Sequence, residues 1–397
     1  MLILFGATGY TGRKAAHYLH ANAPADLEWA IAGRNASKLA ALREEMGPDC
    51  RADIVVADAD APESVDAMVA KATVVISTAG PFALYGTPLV AACARQGVHY
   101  ADITGETPWV RDMIDAYHDV ASESGARIVP FCGVDSVPSD MGAWFVAKHT
   151  TTELGEDCAE VRCVFKMKGG VSGGTVASAL NMGASGQTKR LADPVLLNPK
   201  STRTKELRKR SRDMAAPKFD SDLDVWTAPF VMAAVNTRVA RRSAGLFAEW
   251  NEGYGEGFTY HESMYAGSRW KASAISASLG VFAAATVSAP GRALVKVIAP
   301  KPGEGPSDEA CDAGWMHCQY VGTSASGKKV YADMKADGDP GYKITVMTLC
   351  EAGLTLALDE DKLPGENRGG VLTTATGLGQ PYLDRMRAAG LTLEIRA

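Results

Sequence analysis

The chain has no Cys-x-x-Cys pair, no defensible nucleophile elbow or nucleophile–histidine motif, no apolar run of membrane-spanning length and no excess of positive charge. Eight cysteines stand scattered at Cys50, Cys93, Cys132, Cys158, Cys163, Cys311, Cys318 and Cys350. That spacing excludes a zinc ribbon and a disulfide framework, and predicts reduced, structural thiols. His17 and His20 lack an accompanying acidic or thiol cluster, so no metal is expected. A net charge of −5 argues against nucleic acid as a partner. The stretch 272–287 carries no charge and falls short of the ~20 apolar residues a spanning helix requires. Packing into the core is the default expectation for it; an interfacial helix or a pocket wall is the alternative. No internal repeat is visible. Leu2 already opens a strand, which leaves no room for a leader and predicts a cytoplasmic protein, with a peripheral membrane location as the variant.

What is present begins at once. Leu2 to Phe5 are apolar, Gly6-Ala7-Thr8-Gly9-Tyr10-Thr11-Gly12 follows, and Arg13-Lys14-Ala15-Ala16 continues as a helix. A strand, a Gly-x-x-Gly-x-x-Gly turn and a helix in that order make a pyrophosphate site. The glycines let the backbone bend and approach the phosphates, and the helix N-terminus offers free N–H groups. Gly6, Thr8, Gly9, Tyr10, Thr11, Gly12 and Arg13 are therefore the expected contacts of a dinucleotide.

Which dinucleotide is set by the second strand, 27–32, where an acid would bind the ribose 2′-hydroxyl of NAD. The acid is missing. Gly33-Arg34-Asn35 stands there, with Lys38 one turn further on. A guanidinium fork suits a 2′-phosphate, so NADP(H) is expected; a solvated loop cation is the plainer reading of Arg34.

At 397 residues the chain suggests two domains. Strand and helix alternate through the first third, which predicts a Rossmann-like doubly wound parallel sheet over 1–138. The remainder, 139–397, reads as a second α/β (α+β) domain with a mixed or antiparallel sheet, its last helix packing back on the first. Ligands in open parallel sheets lie beyond the carboxyl ends of the strands. Asp58 should then border the adenine, Thr78, Ala79, Gly80, Pro81 and Phe82 the nicotinamide, and 133–138 the substrate. Hydride transfer needs orientation and one proton donor. Tyr85, Asp135 and Ser136 are the catalytic candidates, although Asp135 equally suits a turn-holding role. Tyr10/Lys14 and Tyr331/Lys335 match Tyr-x-x-x-Lys, but one pair lies in the glycine turn and the other in a strand.

Two further features qualify the partner. Lys189, Arg190, Lys200, Arg203, Lys205, Arg208, Lys209, Arg210 and Arg212 face only Asp193, Glu206 and Asp213. This is either a solvated surface or a dock for an anionic carrier protein or lipid surface. Gly169-Gly170-Val171-Ser172-Gly173-Gly174-Thr175 is either a second anion site or a tight turn. The proline- and glycine-rich segment 299–308 reads as a linker.

The glycine turn, Ala32-Gly33-Arg34-Asn35, Gly80-Pro81-Phe82 with Tyr85-Gly86, Tyr100-Ala101-Asp102-Ile103-Thr104-Gly105-Glu106 and Asp135-Ser136-Val137-Pro138-Ser139-Asp140 together resemble the saccharopine dehydrogenase-like family. The likeness, nearest to the trans-acting enoyl reductase branch of lipid metabolism, continues in Asp339-Pro340-Gly341-Tyr342 and Gly369-Gly370-Val371-Leu372-Thr373. It is loosest over 193–268. It implies NADP(H), a Rossmann domain, and reduction of a carbon–carbon double bond on an apolar, carrier-linked intermediate held by a partner synthase. The alternatives are a saccharopine-type carbon–nitrogen dehydrogenase and an NADP(H)-binding lipid-surface adaptor without turnover. Against the former, no arginine cluster suited to several carboxylates stands out in the second half. Self-association is left open. Val134 and Thr374 depart from the phenylalanine and proline usual in the family.

Overall fold

A computed structural model describes every residue except 170–179, 182, 185, 299–305, 367 and 397. The second glycine turn beyond Gly169 and most of the 299–308 linker lie outside the described residues.

Six short strands, β1 (Leu2–Phe5), β2 (Trp29–Gly33), β3 (Asp53–Val56), β4 (Val74–Ser77), β5 (His99–Asp102) and β6 (Arg127–Val129), alternate with helices. The helices are α1 (Tyr10–Asn22), α2 (Ala36–Glu45), α3 (Pro62–Val69), α4 (Phe82–Tyr85), α5 (Thr87–Gln96) and α6 (Thr107–Ser124). β1, β2 and β4 are buried along their whole length, as continuous apolar runs covered on both faces must be. The sheet is parallel, ordered β3-β2-β1-β4-β5-β6. The order reverses between β1 and β4, so a crevice opens at the carboxyl ends of those two strands.

The second sheet is β14-β12-β11-β7-β10-β9-β8. Its strands are β7 (Cys158–Lys168), β8 (Lys218–Asp220), β9 (Val225–Ala228), β10 (Thr259–Tyr265), β11 (Trp315–Ser324), β12 (Lys329–Asp337) and β14 (Thr392–Ile395). Every pairing is antiparallel except β7 with β10, which makes the sheet mixed. α7 (Val137–Leu154) covers one face of it and packs in turn on a long helix, α9 (Ala233–Glu249). Between them in sequence lies the short α8 (Lys205–Arg210).

The chain does not respect a simple cut near residue 138. β13 (Gly370–Val371) joins the first sheet beside β6, in parallel. After the short α12 (Asp308–Asp312), α13 (Thr345–Leu358) lies against α1, β4 and β5. The approach is close: a Cβ on Gly353 would sit 2.2 Å from Ile76 Cδ1. The final helix, α15 (Gly379–Ala388), follows α14 (Thr374–Gly377) and rests on α13, with Tyr382 Oη donating to the Thr348 carbonyl at 2.9 Å. The returning elements that reach the first sheet are β13 and α13, and the last helix packs on α13.

The expectation that 272–287 packs into the core is overturned. This stretch forms α10 (Arg269–Val287), whose side chains are mostly exposed, followed by α11 (Ala289–Ile298). Among the described residues, β8, β9 and Trp226 receive α10 around Ala272, and α11 packs against it.

Candidate active site

The glycine turn splits into three roles. Gly6 has φ of 84°, the left-handed region, and a Cβ there would lie 2.9 Å from Ala79 N and from Thr78 Oγ1. Thr78 Oγ1 in turn reaches the Phe5 and Gly6 carbonyls at 3.2 and 3.1 Å, which locks the end of β4 to the turn. Gly12 is required by packing, since its Cβ would fall 2.2 Å from the Gly6 carbonyl oxygen. Gly9 is different. Its backbone is ordinary (φ −75°, ψ 168°), and the nearest protein atom to a Cβ is 3.4 Å away. The fold itself does not demand glycine at this exposed position; an approaching phosphate does. Gly9 is also the N-cap of α1 and brings no side-chain cap, leaving the first-turn N–H groups for a ligand. The cradle fits a dinucleotide pyrophosphate.

At the adenosine end, Arg34 and Lys38 are exposed and make no ion pair among the described residues. Asn35 caps α2, its Oδ1 accepting from Lys38 N at 2.9 Å and Ser37 Oγ at 2.8 Å. Arg34 therefore stands at the tip of β2 with no acid beside it. Arg13 departs from its expected role: its guanidinium pairs with Glu45 at 2.5 Å, and His17 shares that carboxylate at 3.0 Å. These bonds, His17's first, hold the Glu45 carboxyl below its usual range. Tyr10 also turns away, donating its hydroxyl to the Pro306 carbonyl at 2.8 Å while its ring meets Tyr342 edge-on. Its backbone N–H remains in the helix first turn. Asp58 Oδ1 accepts from Asp60 N at 3.1 Å and so shapes its own loop.

The nicotinamide-side loop is fixed by a residue that the sequence reading placed in a motif without a task. Glu106, 1% exposed, accepts from Phe82 N at 2.8 Å and Ala83 N at 3.0 Å, capping α4 from the adjacent strand end. Phe82 packs against Trp109 with 5.9 Å between ring centroids. Tyr85 is half-buried, and its hydroxyl has no hydrogen bond among the described residues. A cavity of about 280 Å³ opens beside this loop, lined by Ala83, Thr87, Glu106, Trp109, Met113 and Asn181 among others. One strand over, buried Asp102 accepts from Tyr100 Oη (2.8 Å), Thr104 N (2.9 Å) and Phe131 N (3.2 Å), tying the end of β5 to that of β6. Burial pushes its carboxyl up to about 7.

Beyond β6, the 133–138 loop is held by other groups than Asp135. Val134 N donates to Thr345 Oγ1 at 3.1 Å, and Ser136 N and Val137 N to the Gly133 carbonyl. The half-buried Asp135 carboxyl makes no hydrogen bond among the described residues, and desolvation pushes it up to about 6. Ser136 is 1% exposed, and its hydroxyl is committed to Asn236 Oδ1 at 3.3 Å. That makes it a positioning group which pins α7 to α9, not a donor to substrate.

Behind the loop lies a buried polar layer that sequence reasoning missed. Glu262 Oε2 accepts from Ser139 Oγ at 2.6 Å and Tyr260 Oη at 3.1 Å, and burial raises the carboxyl to about 8. Asp140 accepts from Ser243, from Thr374 Oγ1 at 2.7 Å and from Ala375 N at 2.8 Å. Thr374, where the family resemblance leads one to expect proline, thus contributes a hydroxyl that ties α14 to α7.

Part of the cationic stretch is structural. Arg190 pairs with Asp112, Arg208 with Asp193, and Arg203 donates to the Leu196 and Asn198 carbonyls. An arginine cluster does exist in the second half, on α9. Arg238, Arg241 and Arg242 are buried, but they serve Asp213 and the carbonyls of Leu191, Pro194, Leu197, Tyr260 and Val371. No sequence periodicity announces this use.

Residues 2–129 match the saccharopine dehydrogenase NADP binding domain family. A Mycobacterium tuberculosis relative is 41% identical over 414 residues, spanning 99% of this chain and 96% of its own length. A trans-acting enoyl reductase of Mycobacterium bovis is 36% identical over 416 residues, again with 99% and 96% covered. In fold the chain is similar to saccharopine dehydrogenase (L-Glu forming) of Saccharomyces cerevisiae, at a TM-score of 0.53 and 12% identity over 100% of this chain and 99% of the yeast one. A glycine cradle without a ribose-binding acid, and full-length likeness on both sides of it, place the chain in the trans-acting enoyl reductase branch of the saccharopine dehydrogenase-like family, as an NADP(H)-dependent oxidoreductase.

Proposed function

We propose that the enzyme reduces the carbon–carbon double bond of an apolar enoyl thioester presented on a carrier by a partner synthase. The observation that carries the reading is the Asp135 carboxyl, free of hydrogen bonds among the described residues and raised to about 6, in the loop beyond β6. Gly6, Thr8, Gly9, Thr11, Gly12 and Arg34 would hold NADPH, which would supply the hydride when bound. Asp135 in its protonated form delivers the proton to the α-carbon and is recharged from solvent. The half-buried Tyr85, whose hydroxyl makes no hydrogen bond among the described residues, is assigned to hold the thioester carbonyl. Glu106 keeps the 80–83 loop rigid during this exchange, and Ser136 and Thr345 keep the Asp135 loop in register.

The partner class rests on charge. Lys189, Lys200, Lys205, Lys209, Arg210 and Arg212 are exposed and make no ion pair among the described residues, which suits an acidic carrier protein. Eight buried free thiols suit a reducing, cytoplasmic setting. The carbon–nitrogen alternative is disfavoured because Arg238, Arg241 and Arg242 are already engaged and cannot receive substrate carboxylates. The test is NADPH oxidation by the purified protein with long-chain enoyl thioesters, short ones and saccharopine-like amino acids. Long enoyl thioesters should be turned over fastest, since each buried CH₂ contributes about 0.8 kcal/mol. Turnover of amino acids alone refutes the reading, and turnover of nothing leaves the adaptor.

A further inference from the structure

A helix that carries no charge over four turns is normally enclosed by protein. α10 is not. Its inner edge, Ala272, Ile275, Leu279 and Thr286, is buried or half-buried against the second sheet and its neighbours. Its outer edge carries Trp270, Ala274, Ala277, Val281 and Ala284, spaced four and three residues apart and therefore aligned on one face. All five are exposed, Trp270 by 79% and Val281 by 71%. α11 turns away from α10 by 114° and adds Leu294, 60% exposed. No single helix among the described residues is long and apolar enough to cross a membrane.

The charge around this face has one sign. No acidic residue occurs between Glu262 and Glu304, although the whole chain is acidic. Arg269 and Lys271 flank Trp270, about 100° to either side of it on the helix. Both are exposed, and neither forms an ion pair among the described residues. On the adjoining edge strand, exposed Lys218 stands next to Phe219, itself 43% exposed. A second protein surface would cover an apolar stripe; a bilayer would cover it and also draw cations that extend past a tryptophan into the headgroup layer.

We propose that the outer face of α10 and α11 is a peripheral docking surface for an anionic lipid bilayer, with Trp270, Val281 and Leu294 entering the interface and Arg269 and Lys271 meeting lipid phosphates. The inner end of α10 lies near the cavity beside the 80–83 loop: a Cβ on Gly183 would lie 2.4 Å from the Thr286 carbonyl oxygen, and Gly183 is two residues from cavity-lining Asn181. Docking by this face therefore brings the cavity close to the layer in which an apolar chain would reside.

The test is flotation of the full chain with phosphatidylcholine vesicles, alone or mixed with phosphatidylglycerol, and it requires no turnover. The wild type should float with the mixed vesicles and much less with phosphatidylcholine alone. Raising salt from 0.1 to 1 M, which shortens the screening length from about 10 to about 3 Å, should weaken the binding. Trp270→Ser with Val281→Asp should lose about tenfold or more in partitioning while NADPH binding persists. Should that pair fail to fold, Arg269→Glu with Lys271→Glu should lose the preference for phosphatidylglycerol alone. A wild type that stays with the unbound fraction in both vesicle types overturns the proposal, as does a folded Val281→Asp variant that floats undiminished. Concentration-dependent dimerisation abolished by Val281→Asp, without flotation, assigns the face to a second copy and overturns it too.

Discussion

Gly9 and Gly12 should respond to the same substitution in opposite ways. In Gly12→Ala the new Cβ sits 2.2 Å from the Gly6 carbonyl oxygen and 2.9 Å from the Ala7 Cα and carbonyl carbon, all backbone atoms that cannot rotate aside. Overpacking of this kind costs about 1–3 kcal/mol, and the helix-propensity gain over glycine returns about 1 kcal/mol. A net loss of up to about 2 kcal/mol should follow, a sizeable share of the ~5–15 kcal/mol available to a folded domain. In Gly9→Ala the backbone is already extended and the nearest atom is 3.4 Å away, so no clash arises. Reduced freedom of the unfolded chain favours the variant by about 0.4–1 kcal/mol, and the poorer N-cap offsets that, leaving stability within about 0.5 kcal/mol. NADPH affinity should nevertheless fall about thirtyfold, or about 2 kcal/mol, because the methyl group occupies the pyrophosphate path. Urea unfolding and calorimetric NADPH titration on both variants separate the two effects. Unchanged affinity in a stable Gly9→Ala protein refutes the phosphate path over Gly9. Unchanged stability in Gly12→Ala refutes the packing requirement.

Arg34→Asp should erase a preference for NADPH over NADH of about tenfold, about 1.4 kcal/mol, read from the two dissociation constants; equal affinities in the wild type would remove Arg34 from the site. Asp135→Asn should lower kcat by about 10²-fold or more with enoyl substrates while leaving NADPH binding intact. In the wild type kcat/KM should decline as pH rises through about 6, where Asp135 loses its proton, and that limb should vanish in the variant. Glu262 has its folded pKa raised to about 8, so the stability it favours is full below the unfolded value and is lost as pH climbs towards 8. Glu262→Gln, neutral throughout, should flatten the pH dependence of unfolding and be the more stable protein at pH 9, by an amount on the order of a few kcal/mol; parallel curves would argue against a buried neutral Glu262. Reversing Lys205, Lys209 and Arg210 to glutamate should impair carrier-bound enoyl substrates and flatten their salt dependence while sparing free thioesters, and equal loss on both would rule out a docking role.

The nucleotide-binding sheet was legible because its signals are local. Continuous apolar runs such as Leu2–Phe5, glycines at fixed offsets and a helix after each turn are properties of a few adjacent residues. The missing acid after β2 is equally local, and it pointed to the same cofactor as the family match over 2–129. The mixed or antiparallel second sheet was expected too, and β11 and β12 pair antiparallel within it.

What the sequence left open was settled by partners far apart in the chain. Arg13 is claimed by Glu45, Val134 by Thr345, and Asp140 by Thr374, which stands 234 residues away. Arg238, Arg241 and Arg242, which did not stand out as a cluster in the sequence, are brought together on one helix and turned onto carbonyls and Asp213. For 272–287 the sequence determined a stretch without charge, but not whether anything covers it. Side-chain periodicity records which faces of a helix are apolar, and only the packing of distant elements decides which of those faces is shielded from water.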